Sequence, residues 1–200
     1  MNKEIDISKI VLKTERLTLR AFRQGDLDDL YEYAKVEGVG EAAGWAHHAS
    51  IDESKDRLAK FINGKHTFAI VINNKVVGSV GVDKYNDEKL TELNDLMGRE
   101  IGFVLSRAYW GQGIMTEAVK EVISYLFNVE GLDFLTCGHF DENDRSRRVQ
   151  EKCGFKPFKK LIFDTALGEK KSGVLNILYN KNRYNVWGNY EDKINDYKRQ

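Results

Sequence analysis

The sequence is poor in proline and cysteine and carries no surplus of charge. Of its 200 residues one is proline, Pro157, and two are cysteines, Cys137 and Cys153. With one proline, no repeat and no low-complexity tract, nothing marks a linker that would divide the chain. The expectation is one domain over 1–200, with a core of 9–180 and a peripheral segment of 181–200. The cysteines show neither CxxC nor His-paired ligand spacing, so no metal is expected, and two free thiols in a reducing cytosol fit better than a secreted disulfide. Basic and acidic residues balance at 31 each. A dedicated nucleic-acid or membrane-surface partner would leave a basic excess, so neither is expected. No apolar run approaches the roughly 20 residues of a membrane-spanning helix. The first residues mix charges without an apolar core, which does not read as a secretory signal. A cytoplasmic location follows as the expectation.

Hydrophobic periodicity supplies the elements. LTLR after Thr14-Glu15-Arg16 reads as a strand. Asp26–Val36 places Leu27, Leu30, Tyr31 and Ala34 on one helical face, and Ser50-Ile51-Asp52-Glu53 is a capping box opening a helix to about Ile62. Thr67–Ile72 and Lys75–Val82 form a hairpin around Asn73-Asn74, residues that tolerate positive φ. Asn86–Asn94 reads as a loop, and Glu100–Leu105 as a strand. Ile114–Phe127 carries the clearest helical pattern. A strand at Asp133–Gly138, a helix at Asn143–Cys153 and a strand pair at Phe155–Phe163 and Gly173–Asn180 complete the pattern. The order of elements predicts an α+β fold, a mixed sheet with helices on both faces.

Glu100–Phe127 joins strand, glycine loop and amphipathic helix. Backbone N–H groups at a helix start lack intrahelical partners and favour an anion, and Gly111 and Gly113 remove the Cβ atoms that would obstruct close approach. A plain helix-entry turn would look similar. Neither GxGxxG nor GK[ST] is present, so the loop is not a dinucleotide fingerprint or a Walker loop.

WGQGIM, together with TERLTLR at Thr14–Arg20, EIGFVL before the loop and ENDRSRRVQEKCGF at Glu142–Phe155, resembles the GNAT acetyltransferases, particularly their Rim-type, ribosomal-protein-acetylating subgroup. Trp110 and Met115 depart from the usual loop pattern at positions where contacts are made through backbone. The resemblance implies the GNAT fold, its sheet mostly antiparallel, and acetyl-CoA as co-substrate. Gly111, Gln112, Gly113, Ile114, Met115 and Thr116 would hold the diphosphate. The backbone of Phe103, Val104 and Leu105 would pair with the pantetheine amides, as an added strand does, and Asn143 would meet the same arm while also suiting a helix N-cap.

The implied reaction joins an acetyl group to a primary amine, on a protein N-terminus or a small molecule. Because such an amine is mostly protonated at neutral pH, a base is useful, and Glu100 stands where relatives place one. Many members carry a tyrosine acid where this chain has Gln150, so Ser146 becomes the candidate for assisting the thiolate, with the Phe103 N–H as oxyanion donor. Trp45 and His48 fall where the family places acceptor-binding loops. Arg145, Arg147 and Arg148 either meet the 3′-phosphate or form a solvated face. Gln150 in place of tyrosine leaves a second reading open, a non-catalytic acyl-CoA sensor. A homodimer is compatible with either.

Overall fold

A computed structural model describes residues 1–186. Its elements follow local sequence chemistry closely. Asn73 and Asn74 adopt φ of 48° and 65° and close the hairpin between β3 (Thr67–Ile72) and β4 (Lys75–Asp83). The Ser50 hydroxyl accepts the Glu53 N–H, and the Glu53 carboxylate accepts the Ala49 N–H, capping α2 (Ile51–Gly64). The region read as one strand near LTLR is a hairpin. β1 (Val11–Lys13) and β2 (Thr18–Ala21) pair antiparallel, and the Thr14 N–H donates to the Leu17 carbonyl across the turn. The TER break in the pattern is thus a reversal of the chain.

The remaining elements are α1 (Leu27–Ala34), β5 (Gly98–Leu105), α3 (Ile114–Asn128), β6 (Phe134–Phe140), α4 (Asp144–Lys152), β7 (Lys156–Asp164) and β8 (Lys170–Tyr179). The eight strands form one sheet in the order β1-β2-β3-β4-β5-β6-β8-β7, antiparallel except for β5 beside β6. Strand alternation divides the core. Phe68 and Ile70 pack with Ala118, Val119 and Val122 of α3, whereas Ala69 and Val71 pack with Leu30 of α1 and Leu58 of α2. The helices therefore cover both faces. A third cluster forms under the segment read as a polar loop, where Leu90, Leu93 and Leu96 bury themselves around Tyr85 and Phe134. Their spacing of three suits the 3₁₀ turn at Thr91–Leu93.

The expected peripheral segment begins with a short 3₁₀ turn, where Arg183 Nε lies 3.0 Å from Asp133 Oδ1. Positions 187–200, which include the stretch read as polar and peripheral, lie outside the described residues.

Candidate active site

The sheet parts at its centre. β5 and β6 are paired at Gly98, Arg99 and Glu100, the last partnering Thr136. Beyond that rung β5 continues five residues along β4 alone. Past Glu100, then, one edge of β5 is free, and a cavity of 560 Å³ opens between the strands. Its wall is β5 from Glu100 to Leu105, its end is the loop before α3, and its far side is β6 with Asn143, Ser146 and Arg148 of the α4 region.

At the loop, Gly111 and Gly113 take φ of 76° and 77°, a region that side chains resist. Gly113 is the N-cap of α3, and no side chain caps it. The earliest helical bond runs from the Glu117 N–H to the Gly113 carbonyl. Among the described residues none of the N–H groups of Gly111 to Thr116 finds an internal acceptor, and a fifteen-residue helix stands behind them. This suits an anion such as a diphosphate. Ile114 and Met115 send their side chains into the core, so the backbone is what they offer. Arg16, from the first block, braces the loop: its Nη1 donates to the Gln112 carbonyl at 3.1 Å and its Nε to Glu117 at 2.7 Å. Arg145 stacks over the Trp110 ring at 4.2 Å, and Arg148 and Lys152 also line the cavity, giving it positive charge near the loop. Arg147 is turned away, held by Asp144 and Glu151. Lys152 was not singled out in the sequence, although it stands one helical turn beyond Arg148.

On β5 the Val104 carbonyl lies against β4, only 2.4 Å from where a Cβ on Gly78 would sit. Alternation then turns the backbone groups of Ile101, Phe103 and Leu105 to the free edge. The Leu105 carbonyl there is already taken by the Trp110 indole N–H at 2.8 Å. The expected trio differs in its middle member: the Val104 backbone is turned to β4 and completes the sheet, although the residue also borders the cavity.

Glu100 sits at the point of parting, opposite Asp83 on β4. Burial, and then the Asp83 carboxylate, push its pKa from the usual 4.5 up to about 7, while the Thr136 hydroxyl beside it acts in the opposite sense. Such a carboxyl can take a proton near neutral pH. Cys137 lines the same cavity, but burial, with Glu100 and Cys153 adding to it, drives its thiol well above the ordinary range. It is poorly suited to serve as a nucleophile.

Asn143 caps α4, its Oδ1 accepting the Ser146 N–H at 3.0 Å, while its Nδ2 donates to the Ala42 carbonyl at 2.8 Å. It thereby ties α4 to the loop after α1. That loop contributes Val39, Ala42 and Ala43 to the cavity. Trp45 and His48, expected at the acceptor, do not line this cavity. Trp45 packs where Gly40 leaves room, a Cβ on Gly40 coming within 2.5 Å of its ring. His48 is buried, with Nδ1 2.6 Å from the Ser54 hydroxyl and its backbone N–H donating to Ala34. It is a core histidine that joins α1 to α2.

The eight-stranded sheet is thus parted at its centre, and the gap runs from the Glu100 carboxyl to a glycine loop that no side chain caps. The Acetyltransferase (GNAT) domain matches residues 16–156, and the chain belongs to that family of acetyltransferases. It is 28% identical over 152 residues to the uncharacterized N-acetyltransferase p20 of Bacillus licheniformis, covering 72% of this chain and 81% of the relative. Its fold is similar to the ribosomal-protein-S5-alanine acetyltransferase of Vibrio fischeri, with a TM-score of 0.68 and 19% identity, over 86% of this chain and 98% of the other. It is also similar to the Vibrio cholerae spermidine N-acetyltransferase solved with CoA and spermine, with a TM-score of 0.67 and 19% identity, over 84% and 97% of the two chains.

Proposed function

We propose that this chain is a cytoplasmic, single-domain enzyme that moves an acetyl group from acetyl-CoA to a primary amine by direct attack within a ternary complex. The observation that carries this reading is one cavity shared by the unpartnered N–H groups of the α3 loop, the free edge of β5 and the raised carboxyl of Glu100. Bound acetyl-CoA would supply a thioester carbonyl and a thiolate leaving group.

The residues of the chain would do the rest. Gly111 to Thr116 hold the diphosphate, with Arg148 and Lys152 nearby for further phosphate charge. The Phe103 carbonyl and the Leu105 N–H pair with the pantetheine amides, which leaves the Phe103 N–H to serve the oxyanion. Asn143 shapes the arm's far wall. Glu100 takes the proton that an ammonium acceptor must lose, and Asp83 beside it adds the negative character that draws such a cation in. Ser146 faces the departing sulfur. The inert Cys137 thiol supports direct attack over an acyl-enzyme route. A buried carboxyl poised near neutrality also favours catalysis over a sensor role.

The acceptor is a protein α-amine or a small-molecule amine. The test is CoA-thiol release from acetyl-CoA with a panel of N-terminal peptides and small amines. Release that depends on an amine and falls in Glu100→Gln is expected. Tight CoA binding with no turnover on any amine would instead favour the sensor.

A further inference from the structure

Gln150 fills the place where the family usually carries a tyrosine acid, and the structure buries it at 1% exposure. It is the middle of a hydrogen-bonded chain across α4, β6 and β8. Gln150 Nε2 donates to the Gly138 carbonyl and to the Ser146 hydroxyl, both at 3.0 Å. Its Oε1 accepts from Asn176 Nδ2 at 2.6 Å, and the same Asn176 nitrogen lies 3.0 Å from His139 Nδ1. Ser146 and His139 both line the cavity, so the chain starts and ends at the site.

One group sets the direction of the whole chain. Gly138 lies on β6 two residues past its last rung with β5, and its carbonyl can only accept. The Gln150 amide must therefore turn its NH₂ toward it. That orientation leaves Oε1 facing Asn176, which must answer with its own NH₂. His139 Nδ1 must then accept, placing the imidazole proton on Nε2. At the other end Ser146 Oγ already accepts from Gln150, so its O–H is left as the donor directed elsewhere.

We infer that Gln150 is a positioning residue, which holds the Ser146 hydroxyl as a hydrogen-bond donor toward the cavity. The inference rests on the proposed role of Ser146. As the nitrogen of the acceptor, already deprotonated by Glu100, bonds to the acetyl carbon and the C–S bond breaks, the second N–H proton leaves to solvent and the electron pair stays on sulfur. The Ser146 O–H stabilises that thiolate by hydrogen bonding and keeps its proton. A thiolate is a good enough leaving group that a fixed donor can stand in for an acid.

The decisive variant is Gln150→Glu. A buried carboxylate can only accept, so it would claim the Ser146 proton and point it away from the sulfur. Turnover should fall about 10-fold, as in Ser146→Ala, within the range of a lost polar contact. CoA affinity by calorimetry should change little. Relative to the parent enzyme, turnover should recover as the pH is lowered, because the protonated carboxyl can again donate. Three outcomes separate the ideas. Loss in Ser146→Ala with turnover in Gln150→Glu that matches the parent at every pH overturns the positioning role alone. No loss in Ser146→Ala overturns the Ser146 reading and this inference with it. A fold that does not survive the substitution leaves the parent protein to decide, through the ¹⁵N and ¹³C shifts of His139. These should report the Nε2–H tautomer, and an Nδ1–H tautomer means that the chain runs the other way.

Discussion

Asp83 and Glu100 face each other across β4 and β5, two carboxylates in direct register at the place where the sheet opens. Loss of solvent around the carboxyl raises the pKa of each, Asp83 keeping a side chain 54% exposed, and the Asp83 charge contributes to the shift at Glu100. His66 Nδ1 lies 3.2 Å from Asp83 and offsets part of that charge. Glu100 is therefore the member of the pair that stays protonated into the neutral range.

Acetyl transfer should accordingly rise with pH through about 7, as Glu100 loses its proton. Glu100→Gln should flatten that limb and slow turnover about 100-fold, while CoA affinity stays near the parent value. Asp83→Asn, by removing the neighbouring charge, should move the midpoint to lower pH. A pH–rate profile of kcat/KM on the three proteins checks both. An unmoved midpoint in Asp83→Asn would mean that burial alone sets the value.

The same shift has a sign for stability. The folded state holds the Glu100 proton more tightly than the unfolded chain, so stability is fully present below the unfolded value of 4.5 and is lost as pH rises to about 7. Glu100→Gln should thus melt higher than the parent at pH 8 and show little difference at pH 4. Thermal melts at the two pH values test this directly.

Gly113 combines a positive φ with an uncapped helix start, and a Cβ there would approach Arg16 at 3.7 Å. Gly113→Glu should strain the backbone and set a carboxylate against the phosphates. A loss of CoA affinity of at least about 10-fold, or roughly 1.4 kcal/mol, is expected by calorimetry. Unchanged affinity would place the diphosphate elsewhere.

His48 should behave as a structural residue. Burial lowers its pKa, so charging it in the folded state is unfavourable, and stability should decline as pH falls below about 6.5. His48→Ala should cost about 1–3 kcal/mol in denaturant unfolding, from the lost Ser54 bond and packing, with KM for the amine unchanged. A selective rise in KM would return it to the acceptor site.

The features legible in the sequence are those set by neighbours along the chain. The α3 loop could be read because its glycines and the periodicity of Ile114–Phe127 are local. The Asn143 cap and the Asn73-Asn74 turn are local for the same reason. Val104 shows the limit: strand pairing carries a two-residue phase, and sequence alone does not say which residues turn their backbone to the open edge. Trp45 and His48 lie in the expected loop, yet the room at Gly40 and the Ser54 hydroxyl draw them into packing. That leaves Val39, Ala42 and Ala43, residues with no chemical signature, to line the cavity. The Gln150 chain needs side chains from α4, β6 and β8, and no spacing in the sequence announces it.

The opening between β5 and β6 bears on how long the protein survives. Among the described residues the amides of Phe103 and Leu105 have no sheet partner on that edge, and the gap lies at the middle of the core. A ligand that pairs with them joins the two halves of the sheet, and binding the folded state alone lowers the population of opened chains. Exchange at those amides and cleavage by proteases should both slow as CoA is added. Resistance to degradation would then follow the supply of that ligand.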